Sequence, residues 1–139
     1  MIDRSILQNT VKSYDLDNIS ITALGSHSAL DIMDGATSEN LNSIVICQKG
    51  REMTYKHFKR IIKDVVTLPK FSDLLNDDIQ KSLISKNSIL IPHRSFTAYI
   101  DYDSIENDLK IPIFGNREML RTEERNVEKN QYYLLEKAN

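Results

Sequence analysis

Ile19-Ser20-Ile21-Thr22-Ala23-Leu24 runs directly into Gly25-Ser26-His27-Ser28-Ala29-Leu30. The first six residues alternate apolar with β-branched or small, the pattern of a strand. Gly25 turns the chain, two hydroxyls and an imidazole follow, and a helical pattern spans 28–40, with Leu30, Ile32, Met33 and Leu41 around its buried side. In an open parallel α/β sheet, such a corner lies at the carboxyl end of a strand, where ligands bind. The helix opening there aims unpaired N–H groups and the positive end of its dipole at the bound group. A short donor-rich loop in that position suits an anion, most often a phosphate.

The rest of the chain repeats the theme. Apolar runs predict further strands at 43–47, 65–68 (stopped by Pro69), 88–91 (stopped by Pro92) and 111–114. Helical patterns precede and separate them at 5–14, 55–63 and from Phe71 through Ile84, and a mixed stretch covers 96–109. A charged helix capped by Gly115-Asn116 is expected to run to the end. Short, nearly continuous apolar strands alternating with helices predict an α/β fold: a Rossmann-like open parallel sheet of about five strands with helices on both faces.

Size and composition agree. The 139 residues suffice for one domain, 1–139, and the net charge of −2 excludes partners recruited by bulk positive charge, nucleic acid or membrane. No apolar stretch reaches the ~20 residues of a membrane span. The start, Met1-Ile2-Asp3-Arg4-Ser5, lacks a signal peptide's pattern, so a cytoplasmic location is expected. Cys47 is the only cysteine and ends an apolar run, the setting of a small buried hydrophobe. His27, His57 and His93 are too far apart for a helical metal motif, so no metal ligands are assigned.

Four loops are expected along one rim: Gly25-Ser26-His27-Ser28, Lys49-Gly50-Arg51-Glu52, Pro92-His93-Arg94-Ser95-Phe96 and Phe114-Gly115-Asn116-Arg117. They supply many donors and few carboxylates, which fits an anionic small molecule. Ser28 and Asn116 serve equally as helix caps, His93 as a turn residue, and Lys49, Arg51 and Arg94 as solvated cations. His27, between two serines at a strand-to-helix corner, has little packing value and is the strongest candidate for binding. The dinucleotide fingerprint, the Walker phosphate loop and the Gly-x-Ser-x-Gly elbow are all missing from the sequence.

The ordered set Ile21–Leu30, Val45-Ile46-Cys47-Gln48-Lys49-Gly50-Arg51-Glu52, Pro92-His93-Arg94-Ser95-Phe96-Thr97-Ala98-Tyr99 and Ile111-Pro112-Ile113-Phe114-Gly115-Asn116-Arg117-Glu118 resembles the amino-terminal region of the archaeal formate-dependent phosphoribosylaminoimidazolecarboxamide ligases, the PurP family. The likeness covers nearly the whole chain. It implies the pre-ATP-grasp domain of a ligase that formylates AICAR (5-aminoimidazole-4-carboxamide ribonucleotide) to FAICAR in purine (IMP) biosynthesis. ATP would activate formate as formyl phosphate, which the AICAR amine attacks. The resemblance assigns AICAR binding to His27 and Ser95, beside which the rim reading sets Ser26, Arg94 and Asn116. It assigns no catalytic residue and no cofactor to this stretch. It places ATP and Mg2+ in an ATP-grasp domain outside the 139 residues, implies a homo-oligomer, and makes these residues alone inactive. Arg94 departs from the family, which carries a small residue there. The alternative is a stand-alone, non-catalytic nucleotide-binding or regulatory module on the same fold, separated from the first reading by whether the chain binds AICAR.

Overall fold

A computed structural model describes residues 2–138. Four parallel strands, β1 (Ser20–Leu24), β2 (Asn42–Gln48), β3 (Asp64–Leu68) and β4 (Ser88–Leu90), pair in the order β3-β2-β1-β4. The register sets Leu24 beside Ile46 and Thr22 beside Leu90. Around the sheet lie α1 (Arg4–Lys12), α2 (Ala29–Ser38), α3 (Glu52–His57), α4 (Asp77–Ile84), α5 (Arg94–Tyr99), α6 (Tyr102–Asn107) and α7 (Gln131–Ala138). Among the described residues no helix is long and apolar enough to cross a membrane.

Strand periodicity divides the core in two. Leu24, Ile44, Ile46 and Leu90 face Phe71, Leu74, Leu83, Phe96 and Ile105 on one side. Ala23, Val45 and Cys47 face Ala29, Met33, Tyr55 and Ile62 on the other. Burial on both faces explains why the strands read as unbroken apolar runs. Cys47 is buried as a small hydrophobe, and burial pushes its thiol pKa up.

Among the described residues the sheet has four strands, not five. The expected strand at 111–114 contributes one parallel bridge, Ile113 to Leu90. Leu90 donates to the Pro112 carbonyl and accepts from the Phe114 N–H, at 2.9 and 2.8 Å. Pro112 has no N–H of its own, and Gly115 turns the chain at φ +103°, so the ladder stops there.

The expected terminal helix is also broken. Asn116 opens a 3₁₀ helix, Arg117–Glu123, and α7 starts afresh at Gln131 under a second asparagine cap, Asn130. Arg117 is buried, and its guanidinium donates to the carbonyls of Ile105 and Leu109, at 3.0 and 2.6 Å. Arg121 pairs with Asp103 and Glu106. These anchors tie the segment to α6, whereas a charged helix without an apolar stripe has no packing to extend it. The 55–63 pattern forms α3 earlier, at 52–57, and then turns. The pattern from Phe71 splits at Asn76, which is extended (ψ 131°), into a 3₁₀ turn and α4. α1 forms as expected but buries none of its residues.

Candidate functional site

From β1 the chain steps outward through β2 to β3, then returns to lay β4 on the other side of β1. The strand order therefore reverses between β1 and β4. In open α/β sheets, the crevice beyond the carboxyl ends at such a reversal is the binding position. Two of the four predicted loops, 25–28 and 92–96, leave the sheet there.

Gly25 shapes the first loop. Its N–H donates to the Ile46 carbonyl at 2.6 Å, and the Tyr55 ring lies against it. A Cβ at this position would sit 2.7 Å from Tyr55 Cε2 and 3.1 Å from Cys47 Cβ, so only glycine lets α3 close on the end of β1. Burial raises the Tyr55 phenol pKa. Ser28 precedes α2 without a side-chain cap bond.

His93 joins the two loops. Its Nε2 lies 3.0 Å from the Leu24 carbonyl, and the Ser95 N–H donates to its Nδ1 at 3.3 Å. A carbonyl only accepts, so Nε2 carries the proton and the ring is the neutral tautomer. The ring thus caps α5 and ties it to the end of β1. Ser26 then donates its hydroxyl to Ser95 Oγ at 2.9 Å, across 69 residues of sequence. Beside this pair, His27 and Arg94 are exposed. The result is a half-buried hydroxyl pair flanked by an imidazole and a guanidinium, a set able to hydrogen-bond an anion or a polar ring.

The other predicted donors divide differently. Lys49 and Arg51 stand exposed at the end of β2, where Gly50 has φ +92°. Asn116 spends its side-chain oxygen on the Glu118 N–H, at 2.9 Å. It lines a separate groove of about 860 Å³ with α1 residues, including Leu7 and Val11, and does not join Ser26 and Ser95. Arg117 is a buried structural cation, and the loss of solvent lowers its pKa. Outside Arg94, a groove of about 580 Å³ brings in Glu123 and Glu124, so that side is less cationic than the loops alone suggest. Tyr55 is a support that the sequence did not single out, and His93, expected as a turn residue or a ligand contact, instead holds the two loops together. A histidine next to Pro92 signals a turn, but not that it caps α5 or which distant carbonyl its other nitrogen reaches.

No group of three or more His, Cys, Asp or Glu that could hold a metal ion occurs among the described residues.

A family profile described as Protein of unknown function (DUF1246) matches residues 21–139. The chain is 43% identical over 138 residues to a 5-formaminoimidazole-4-carboxamide-1-(beta)-D-ribofuranosyl 5'-monophosphate synthetase of Methanothermobacter thermautotrophicus, covering 99% of this chain and 37% of that protein. It is 40% identical over 139 residues to the synthetase of the same name from Methanopyrus kandleri, covering 99% and 38%. The crystal structure of an IMP biosynthesis protein PurP from Thermococcus kodakaraensis superposes with a TM-score of 0.61 at 32% identity, over 74% of this chain and 31% of that one. The chain thus spans about a third of the length of these relatives. With its match reaching from within β1 to the last residue, the chain belongs to the DUF1246 family.

Proposed function

We propose that residues 1–139 are the substrate-binding, pre-ATP-grasp part of a ligase that formylates AICAR with formate in purine biosynthesis. In this reading the Ser26–Ser95 hydroxyl pair and the exposed His27 grip AICAR at the β1–β4 reversal, and Arg94 adds a cation at the same mouth. The observation that carries it is the 2.9 Å contact between Ser26 and Ser95, which brings two loops distant in sequence to one position. The names of the relatives supply the substrate class, and their greater length supplies room for the ATP-grasp region.

The chemistry assigned to these residues is positioning. Holding a weakly nucleophilic amine aligned with an acyl donor can remove about 7–11 kcal/mol from the barrier. ATP and Mg2+ would activate formate from the rest of the full-length protein. These residues bind and orient the nucleotide: His93 fixes the α5 amino end, Ser95 and Ser26 present hydroxyls, and His27 donates to the substrate phosphate or carboxamide.

Calorimetric titration with AICAR, with AMP and ribose 5-phosphate as comparators, tests the reading. AICAR is expected to bind best, and His27→Ala to weaken it about tenfold or more, the equivalent of one charge-assisted hydrogen bond of about 1.5–3 kcal/mol. Unchanged affinity in His27→Ala removes His27 from the site. AMP binding without AICAR binding rejects the proposed substrate in favour of a nucleotide-sensing module.

A further inference from the structure

The net charge of −2 hides a local concentration of cations. Six of the chain's 18 lysines and arginines stand between positions 49 and 63, beside one of its 20 carboxylates, Glu52. Three of the six, Lys56, Lys59 and Lys63, line a groove of about 760 Å³ between α3 and the start of β3, and His57 joins them. Ile62 and Val65 give the groove apolar wall, while the four basic side chains are exposed. Asp64 opens β3, so the groove lies toward the amino ends of the parallel strands. The β1–β4 loops are at the opposite end of the sheet.

These cations have no counter-charge. Asp64 is the carboxylate lining the groove, and both of its oxygens are engaged: Oδ1 accepts the Val65 N–H at 2.8 Å, and Oδ2 pairs with Lys86. Glu52, at the far end of α3, accepts the Gly50 N–H. Lys56, Lys59 and Lys63 take part in none of the ion pairs among the described residues. Lys63 reaches only a neutral acceptor, Asn42 Oδ1, at 3.0 Å. Lys56 and His57 gain from the negative end of the α3 dipole, but Lys59 and Lys63 lie past the helix and gain nothing from it. Like charges gathered along an apolar wall repel one another and focus a positive field into the cleft. An anion carrying several charges relieves that repulsion and accepts charge-assisted bonds from the ammonium groups. We propose that the α3–β3 groove binds a compact polyphosphate anion, free or as the tail of a nucleotide. The inference does not depend on what the β1–β4 loops bind.

Titration calorimetry of the purified protein with tripolyphosphate is the test. Binding is expected at low salt, and association at least tenfold weaker at about 500 mM, where the screening length falls to roughly 4 Å. Lys56→Gln with Lys59→Gln is expected to weaken tripolyphosphate about tenfold or more, with an unchanged circular dichroism spectrum and an unchanged AICAR titration. His27→Ala with Arg94→Ala, at the other end of the sheet, is expected to leave tripolyphosphate affinity within about twofold. A parallel titration with ATP separates the two sources: equal affinity assigns the site to the polyphosphate alone, and tighter ATP binding assigns it to a nucleotide. Absence of tripolyphosphate binding at low salt overturns the proposal. So does a loss of binding that follows the His27 and Arg94 pair rather than the lysine pair, or capture of an oligonucleotide by a protein that ignores tripolyphosphate.

Discussion

Two clusters of similar polar groups are served by β1 and β4: Tyr14, Thr22 and Ser88 along the strands themselves, and Ser26, His93 and Ser95 just beyond their carboxyl ends. Along the strands, the Tyr14 hydroxyl donates to the Ser88 carbonyl at 2.8 Å, and Thr22 Oγ1 lies 2.5 Å from Ser88 Oγ. All three residues are buried: the Thr22 and Ser88 hydroxyls bond each other, and the Tyr14 hydroxyl is taken up by backbone. At the carboxyl end, the hydroxyls also pair, but His27 and Arg94 beside them are exposed and Ser26 and Ser95 are half-buried. A polar cluster closed on itself holds the sheet together. One with donors left over at a strand-order reversal is equipped to bind. Among the described residues no buried side-chain nitrogen or oxygen lacks a partner, so the surplus lies entirely at the surface.

The comparison is broken most sharply at Gly25. Gly25→Ala is expected to cost about 1–3 kcal/mol, because the new methyl overlaps the Tyr55 ring and crowds Cys47, and to displace Ser26 along with it. Urea denaturation together with AICAR titration checks this; full stability with full binding would mean that α3 gives way freely.

Tyr14→Phe isolates the closed cluster. At neutral pH it is expected to cost about 1–2 kcal/mol with no effect on ligand affinity. Burial pushes the Tyr14 phenol up from 10.0 to about 12. The folded chain therefore holds this proton more tightly than the unfolded one. The resulting stability is present in full below pH 10 and is lost as pH rises toward 12, by an amount on the order of 2 kcal/mol. Melting curves across that range are expected to fall more steeply for the wild type than for Tyr14→Phe.

His93→Ala sharpens the contrast, since His93 belongs to both structure and site. Losing its cap on α5 and its bond to the Leu24 carbonyl is expected to cost about 1 kcal/mol and to weaken AICAR binding by releasing Ser95. His27→Ala has the smallest expected effect on folding, within about 0.5 kcal/mol, because the side chain is exposed. A large loss of stability in that variant, read by thermal melting, would move His27 into the structural class.

Much of this was legible in the chain. The runs at 19–24, 43–47, 65–68 and 88–91 all became strands within a residue or two, because burial on both faces leaves an uninterrupted apolar signature. The run at 111–114 carries the same signature and forms only a bridge. Apolar content records burial, while a ladder also needs an N–H that Pro112 lacks. Gly115 and Asn116 carried correct local signals, a turn and a cap, but their position on the rim did not bring Asn116 to the serine pair. Arg117 looked like a surface donor, because nothing in its neighbours shows that the carbonyls of Ile105 in α6 and Leu109 just past it wait for it.

By itself, the sequence determined the local chemistry: where strands run, where glycine and proline interrupt, which loops carry hydroxyls, imidazoles and cations, and which family the motifs resemble. Those features depend on residues a few positions apart. Only the tertiary structure decided that β4 returns to the far side of β1, that Ser26 meets Ser95, and that His93 locks the two loops together. It alone decided that Arg117 is buried while His27 stays free. Those outcomes depend on contacts across tens of residues, set by which strand pairs with which, and strand order is a property of global packing that no local pattern encodes.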